Sequence, residues 1–483
     1  MVAPALIVEK HVSDDARASP AEAAGLRRMS EVGVTQDLCK KILDISFDAL
    51  PASVLGAARQ LFLDGLAVAV AGSEEDAIRI LAAHYREYDA RPEATALGLA
   101  FRTAAPCAAA LNGAAMHVLD FEPMWSPATH ALSTTLPAVL ALGEIRSSSG
   151  QDILTALIKG IEVQGWLREA GHAPALTGES FHPPGVVGPI GSAVAAGHLL
   201  GLDSETLPNA VGIAASRAGS LFANAGTMTK CTHCGHAAQT GLEAAMLAAR
   251  GFTSNPDIVE ARDGYAAAFL GREFDASRLL NFGSSFRLVE PGYALKMFPS
   301  QFGTHFAITA GLELSARIRD CQQIRAITLT TPEMPYVNRP FPSSGLYGKF
   351  SFQYTFCRAL MDGRITIDTF RDRQVHEPAV LDLLAKVTLN MDPAIPARFE
   401  AMHVDAVVEL VDGAILTAHC QGPRGAWGSE RISHDEHLDK VRDCLSRRLS
   451  DAMVDRCVAL AVEIDQLGAP DVAELLAIAG GLT

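Results

Sequence analysis

The stretch H-V-L-D-F-E-P-M-W-S-P-A-T-H, from His117 to His130, sets the first constraint on the fold. It carries two histidines, two carboxylates, a tryptophan and two prolines between flanks of small and apolar residues, A-A-L-N-G-A-A-M before it and L-P-A-V-L-A-L-G-E after it. Both flanks read as buried helix. Pro123 and Pro127 each lack an N–H and clash with a preceding helical turn. The stretch therefore reads as a loop between two buried helices that takes polar side chains inside. Burying such groups is costly unless they are paired or used, so the chemistry is expected here.

The chain has 483 residues, 49% of them hydrophobic and 20% charged. That is enough for two domains, or one large domain with an insertion, around a large core. A formal net charge of −15 argues against general nucleic-acid binding, because phosphates need a basic surface. A local basic pocket for an anionic substrate stays compatible with it. Nine cysteines without a framework suit a reducing compartment. The N-terminus M-V-A-P-A-L-I-V-E-K lacks a secretory pattern, and a cytoplasmic location is expected. No segment is apolar for long enough to span a bilayer confidently. The best candidate, Val186 to Leu202, is interrupted by Pro189 and His198 and reads as a buried helix, so no membrane partner is expected.

Residues 1–34 show no steady periodicity and read as a mobile tail. From Thr35 the pattern is helical, with Leu38, Ile42 and Ile45 on one side. Pro51 opens a long amphipathic segment bearing Val54, Ala58, Leu61, Phe62 and Leu66. Alanine-rich helices follow around 75–88, 104–118, 133–147, 152–169, 186–200, 205–217 and 235–250, several ending in glycine. Residues 35–293 thus read as all-helical. The character then changes: I-R-A-I-T-L-T-T-P alternates like a strand. Asp412-Gly413 joins two strand-like runs as a hairpin, and F-S-F-Q-Y-T-F-C-R-A-L-M-D-G between them is a helix candidate. Residues 294–431 read as an α+β unit, and 432–483 return to helix. The expected fold is mainly α with an α+β insert, the last helices packing back on the first domain.

Four motifs stand out. G-V-V-G-P-I-G, Gly185 to Gly191, matches no nucleotide loop and reads as close helix packing. K-C-T-H-C-G-H holds Cys231 and Cys234 at a metal-like spacing, but one short cluster is too little for a zinc site. Its Lys230, near a helix start, suits an organic carboxylate, although a solvated surface lysine fits as well. His182, before two prolines, is held in an extended segment; a histidine so placed suits proton transfer, with a structural role as the plain alternative. Lys296 in Y-A-L-K-M-F-P, and Tyr336 and Arg339 in P-Y-V-N-R-P-F-P, are donors beside prolines, as carboxylate recognition needs.

Taken together, L-D-F-E-P-M-W-S-P-A-T-H, F-H-P-P-G-V-V-G, A-N-A-G-T-M-T-K, Y-V-N-R-P-F-P and F-S-F-Q-Y resemble the MmgE/PrpD superfamily, which includes 2-methylcitrate dehydratase and cis-aconitate decarboxylase. The resemblance runs from Thr35 to the C-terminus and is nearest to the animal-type decarboxylase branch. It implies a large helical domain built from both chain ends, an inserted α+β lid, a homodimer, and no metal or organic cofactor. It also places active-site positions on Asp120, His130, His182, Lys230, Lys296 and Tyr336. Where the decarboxylase pattern has a second acidic pair and a threonine, this chain has Glu122, Pro123 and Met124. Ala131 stands for a proline, and Gln301 for a histidine.

The expected activity is that of a cofactor-independent carboxy-lyase converting cis-aconitate, or a close polycarboxylate, to itaconate. His130 or His182 is the candidate general acid, Asp120 its orienting partner, and Lys230 and Tyr336 complete the catalytic set. Lys296, Arg339, Met124, Gln301 and Thr177 are the expected substrate-binding residues. The alternatives are a dehydratase, isomerase or epimerase of a related acid such as 2-methylcitrate, and a catalytically silent or metal-binding protein that keeps the fold.

Overall fold

The structure, a computed structural model, describes residues 33–171, 180–271 and 273–482. The tail expected over 1–34 lies outside these residues except for Gly33 and Val34, and Val34 already opens the first helix. Thr177 also lies outside them.

The chain is mainly helical. Its first part holds α1 (Val34–Leu43), α2 (Ala52–Gly72), α3 (Asp76–Arg86), α4 (Ala105–Val118), α5 (Ala131–Arg146), α6 (Gly150–Ala170), α7 (Pro183–Leu200), α8 (Leu207–Ala215) and α9 (Thr229–Ala248). Alanine loses no side-chain entropy in a helix, and glycine lets two backbones approach closely. A Cβ on Gly235 of α9 would lie 2.2 Å from the Ala110 carbonyl of α4. That crossing brings the ends of α4 and α9 together beside the His117–His130 loop. Helix α2 is the one described helix long and apolar enough to cross a membrane, and 72% of its apolar window is buried inside the fold.

Several helix starts differ from expectation. Pro183 and Pro184 form the first turn of α7, where a missing N–H costs nothing, rather than extending the loop. Only His182 is extended, at φ −75° and ψ 118°. Pro189 does not interrupt α7 either: the Gly185 carbonyl that its missing N–H leaves open accepts from the Gly219 N–H at 3.0 Å. Helix α9 begins at Thr229, six residues before the expected Gly235, because Lys230, Cys231, His233 and Cys234 are all buried there and packing overrides their modest propensity.

The region before 293 is not all-helical. β1 (Ala94–Ala96) and β2 (Phe101–Thr103) form a small hairpin, and β3 (Met124–Trp125) pairs with β4 (Tyr293–Ala294). Strands of two or three residues leave no periodic trace in a sequence. Beyond them come α10 (Thr304–Ser315), β5 (Ile324–Thr331), α11 (Phe352–Asp362), α12 (Pro378–Leu384), β6 (Val387–Met391), β7 (Val404–Leu410) and β8 (Ile415–Cys420). The four-stranded sheet has the order β6-β5-β7-β8, with β5 and β6 parallel and the other pairs antiparallel. The hairpin at Asp412-Gly413 and the helix over F-Q-Y-T-F-C-R-A-L-M-D are as expected; β6 was not foreseen. Apolar residues of this sheet and of α10 and α11 form a core of their own, which Met124 joins from the earlier loop.

The last helices, α13 (His434–Ser446), α14 (Asp451–Val462) and α15 (Ala469–Gly480), return to the first part. Lys440 and His437 of α13 reach Asp64 of α2 at 2.7 and 3.1 Å. The Ala479 and Gly480 carbonyls accept from Gly98 and Ala100 in the β1–β2 turn, both at 2.9 Å.

Candidate active site

Helix α4 ends at Val118 and α5 begins at Ala131, so the polar stretch is the buried loop its prolines imply. Asp120 within it takes a positive φ of 52°, a conformation that aspartate tolerates better than most residues with a Cβ but one that still favours a local constraint. Two lysines supply that constraint. Lys230 Nζ donates to Asp120 Oδ2 at 2.9 Å. Lys296 donates to Asp120 Oδ1 and, at 2.9 Å, to the Asp120 main-chain oxygen. Burial alone would push the Asp120 carboxyl up, but the charges of Lys230 and Lys296 hold it well below the usual carboxylate range.

Lys230 also donates to His117 Nε2 at 2.7 Å, and His117 Nδ1 meets Glu122 Oε1. Burial and the Lys230 ammonium bring the His117 pKa down to about 3, so the ring is neutral. Glu122 stays ionised although fully buried, because His117 and His130 counter the desolvation. Ser133 Oγ donates to Glu122 Oε1 at 3.1 Å. His130 Nδ1 lies 2.9 Å from the same oxygen, off the line of a full hydrogen bond. The His117 and His130 rings are 4.3 Å apart, edge to face. His182 closes the group, its Nδ1 3.1 Å from Nδ1 of His233. Burial, then Lys230, holds His182 well below the ordinary imidazole value.

These residues surround one cavity. Asp120, His130, His182, Lys230, Gln301 and Tyr336 form its polar wall, and Met124, Phe222, Phe350 and Phe399 its apolar wall. Gln301 Nε2 donates to the Tyr336 hydroxyl at 2.8 Å. A larger cleft between α2, the 288–295 turn and the 425–432 loop contains none of these residues.

Two expected substrate contacts do not fit this geometry. Lys296 is fully buried behind Asp120. Its three protons are taken by the two Asp120 oxygens and by the Ser300 carbonyl at 3.1 Å, so it supports Asp120 instead of reaching the cavity. Arg339 lies flat on Tyr347, 3.6 Å from the ring centre. It donates to the Ala225 and Tyr336 carbonyls at 3.0 and 2.9 Å, which ties the loops behind the wall. His117, Glu122 and His233 were missing from the expected set. The available signal was position: each sits within five residues of a residue that was chosen.

Among the described residues, the groups that could hold a metal ion are His117 with His130 and His182, and Asp120 with Glu122 and His130. Neither suits one. His117 uses both nitrogens, accepting from Lys230 and donating to Glu122, and the two ammonium groups already occupy the cation positions beside Asp120. Cys231 and Cys234 belong to neither group; Cys231 Sγ donates to the Met228 carbonyl at 3.1 Å. An ammonium, two imidazoles and a phenol around one cavity can hold carboxylates and move a proton.

Residues 36–277 match the MmgE/PrpD N-terminal domain, and residues 298–464 match the MmgE/PrpD C-terminal domain. The chain is 34% identical to the human protein named cis-aconitate decarboxylase, across 90% of this chain and 92% of that one. It is 32% identical to the mouse protein of the same name, across 90% and 91%. It is 26% identical to a 2-methylcitrate dehydratase of Cupriavidus necator, across 77% and 81%.

Proposed function

The chain belongs to the MmgE/PrpD family, and on that premise we propose that it is a carboxy-lyase that decarboxylates cis-aconitate, or a close polycarboxylate, to itaconate. The relatives named as decarboxylases support an enzyme of the lyase type. One observation carries the substrate class: Lys230, His130, His182 and Tyr336 converge on one cavity in a protein of net charge −15. A polyanion is the ligand that such a local excess of donors fits. Each charge-assisted bond contributes about 1.5–3 kcal/mol.

In the proposed step the C–CO₂⁻ bond breaks, CO₂ leaves, and the electron pair stays on carbon until an imidazolium gives it a proton. Asp120 holds Lys230 in place. Tyr336, held by Gln301, donates to a carboxylate. The chemistry uses side chains alone. A helical body (35–293 and 432–483), an α+β lid (294–431) and a homodimer belong to the same proposal.

A second reading, a hydro-lyase or isomerase of a related acid, draws on Gln301 and Met124, which put an amide and a thioether in the wall where the decarboxylase pattern has a histidine and a threonine. Proton NMR of the purified protein with cis-aconitate, without added metal, tests the two. New vinylidene signals of itaconate are expected. Unchanged cis-aconitate, with turnover of 2-methylcitrate, would establish the second reading.

A further inference from the structure

We propose that His130, not His182, is the proton donor, and that Glu122 is the positioning carboxylate that makes it one. This rests on the decarboxylase reading and deepens it.

The tautomers follow from partners that have only one role. An ammonium can only donate, so His117 Nε2 accepts from Lys230 at 2.7 Å. The neutral His117 ring then carries its proton on Nδ1 and gives it to Glu122 Oε1. An ionised carboxylate cannot donate, so the 2.9 Å approach of Glu122 Oε1 to His130 Nδ1, although off the line of a full hydrogen bond, favours the tautomer with the proton on Nδ1, where two lone pairs would otherwise face each other. That leaves Nε2 of His130 as the free nitrogen of a ring that lines the cavity. When the imidazole is protonated, Nε2–H is the transferable proton and Glu122 stabilises the cation from behind.

His182 has no such support. Among the described residues its neighbours are Lys230, His117, His130 and His233, each cationic or neutral. His130 is faced by Glu122 and Asp120 from its own loop, by His117 from α4, by Lys230 from α9 and by His182. It is the one of the two with carboxylates beside it. Burial still holds the His130 imidazole below its ordinary value against the pull of Glu122, and carboxylates of a bound substrate shift it back towards the charged form. Decarboxylation consumes one proton per turnover: the carbon takes it from His130 Nε2, the ring is left neutral with Nδ1–H on Glu122, and solvent restores the lost proton after product leaves.

The test uses ¹⁵N-histidine-labelled protein and the pH profile of kcat. In the wild type, the His130 resonance, assigned by its loss in His130→Gln, is expected to show protonated Nδ1 and unprotonated Nε2. In Glu122→Gln, kcat is expected to fall on the order of 100-fold with KM little changed, and Glu122→Asp to recover part of it. An acid must be protonated, so kcat falls as pH rises through its pKa. Without the carboxylate the imidazolium is less stable, and that falling limb should move down by about 1–3 pH units. A limb that stays put in Glu122→Gln, or an Nε2–H tautomer at His130, overturns the proposal. If wild-type protein leaves cis-aconitate unchanged, the decarboxylase reading falls, and the nitrogen spectra, which need neither activity nor a variant at Glu122, still decide the Glu122–His130 pairing.

Discussion

Lys440 donates to the main-chain carbonyl of Lys296 at 2.9 Å, and with the same ammonium to the carbonyl of Phe121 at 3.0 Å. A helix near the end of the chain thus holds, from behind, both segments that carry the partners Asp120 and Lys296. Asp64 of α2 supplies the countercharge at 2.7 Å. Two stretches of the site far apart in sequence are thus joined, with α2 behind them, by a single buried cation.

Replacing Lys440 by Met should therefore cost about 3–5 kcal/mol in urea unfolding, the range for breaking one side of a buried pair. Combining it with Asp64→Leu should cost less than the sum of the two, because no buried charge is then left alone. An unchanged midpoint for Lys440→Met would show that the clamp carries no stability.

The crossing of α4 and α9 allows no side chain at Gly235. Gly235→Ala places a Cβ against the Ala110 carbonyl, forces the helices apart and lengthens the His117–Lys230 contact. A loss of about 1–3 kcal/mol is expected, with kcat reduced more than the stability change explains. Gly56→Ala, on an open face of α2 with nothing within 4 Å of the new atom, should instead stabilise by about 0.5–1 kcal/mol. Thermal melts and steady-state rates of both variants check the contrast.

Lys230→Ala and His130→Ala should each remove most turnover of cis-aconitate while circular dichroism still reports a helical fold. For Lys230 the loss of one charge-assisted bond alone corresponds to about 10- to 150-fold in kcat/KM. Cys231→Ser should keep near-normal activity, since its hydroxyl can still donate to the Met228 carbonyl. Complete loss in that variant would restore a role for the cysteine pair.

Acid should unfold the protein before its carboxylates titrate. Burial holds His117 and His305 neutral down to about 3, and His198 and His233 down to about 4, whereas the unfolded chain takes up these protons near 6.5. With folded values below unfolded ones, each histidine contributes stability that is complete above about pH 6.5 and is lost as pH falls towards 3–4. Asp120 and Glu122 act in the same sense at lower pH. Glu162, raised to about 7 by burial, acts in the opposite sense between about 4.5 and 7, but four histidines outweigh one carboxyl, and Tm should drop as pH falls from 6.5 to 4. A Tm that rises on acidification would contradict this electrostatic account.

Much of the site was legible in local terms. Pro123 and Pro127 announce a loop, apolar flanks announce that it is buried, and buried charge announces function. The strand at Ile324–Thr331 and the Asp412-Gly413 turn follow from alternation and turn chemistry alone. The early start of α9 did not, because four buried side chains stabilise a first turn that propensity disfavours. The pairing of Met124 with Ala294 did not either, since a two-residue strand has no period to read.

The sequence by itself determined the family, the helical body with a later sheet, and the identity of Asp120, His130, His182, Lys230 and Tyr336 as residues of interest. Only the tertiary structure decided their partners. It turned Lys296 towards Asp120 and away from the cavity, laid Arg339 on Tyr347, and brought in His117 and Glu122 to hold Lys230 and His130. The physical reason is that Lys296 and Asp120 are 176 residues apart, and Lys230 and His117 are 113 apart. Local periodicity orients a side chain on its own element, but which group it meets depends on how helices cross, and that is set by close contacts such as Gly235 against Ala110.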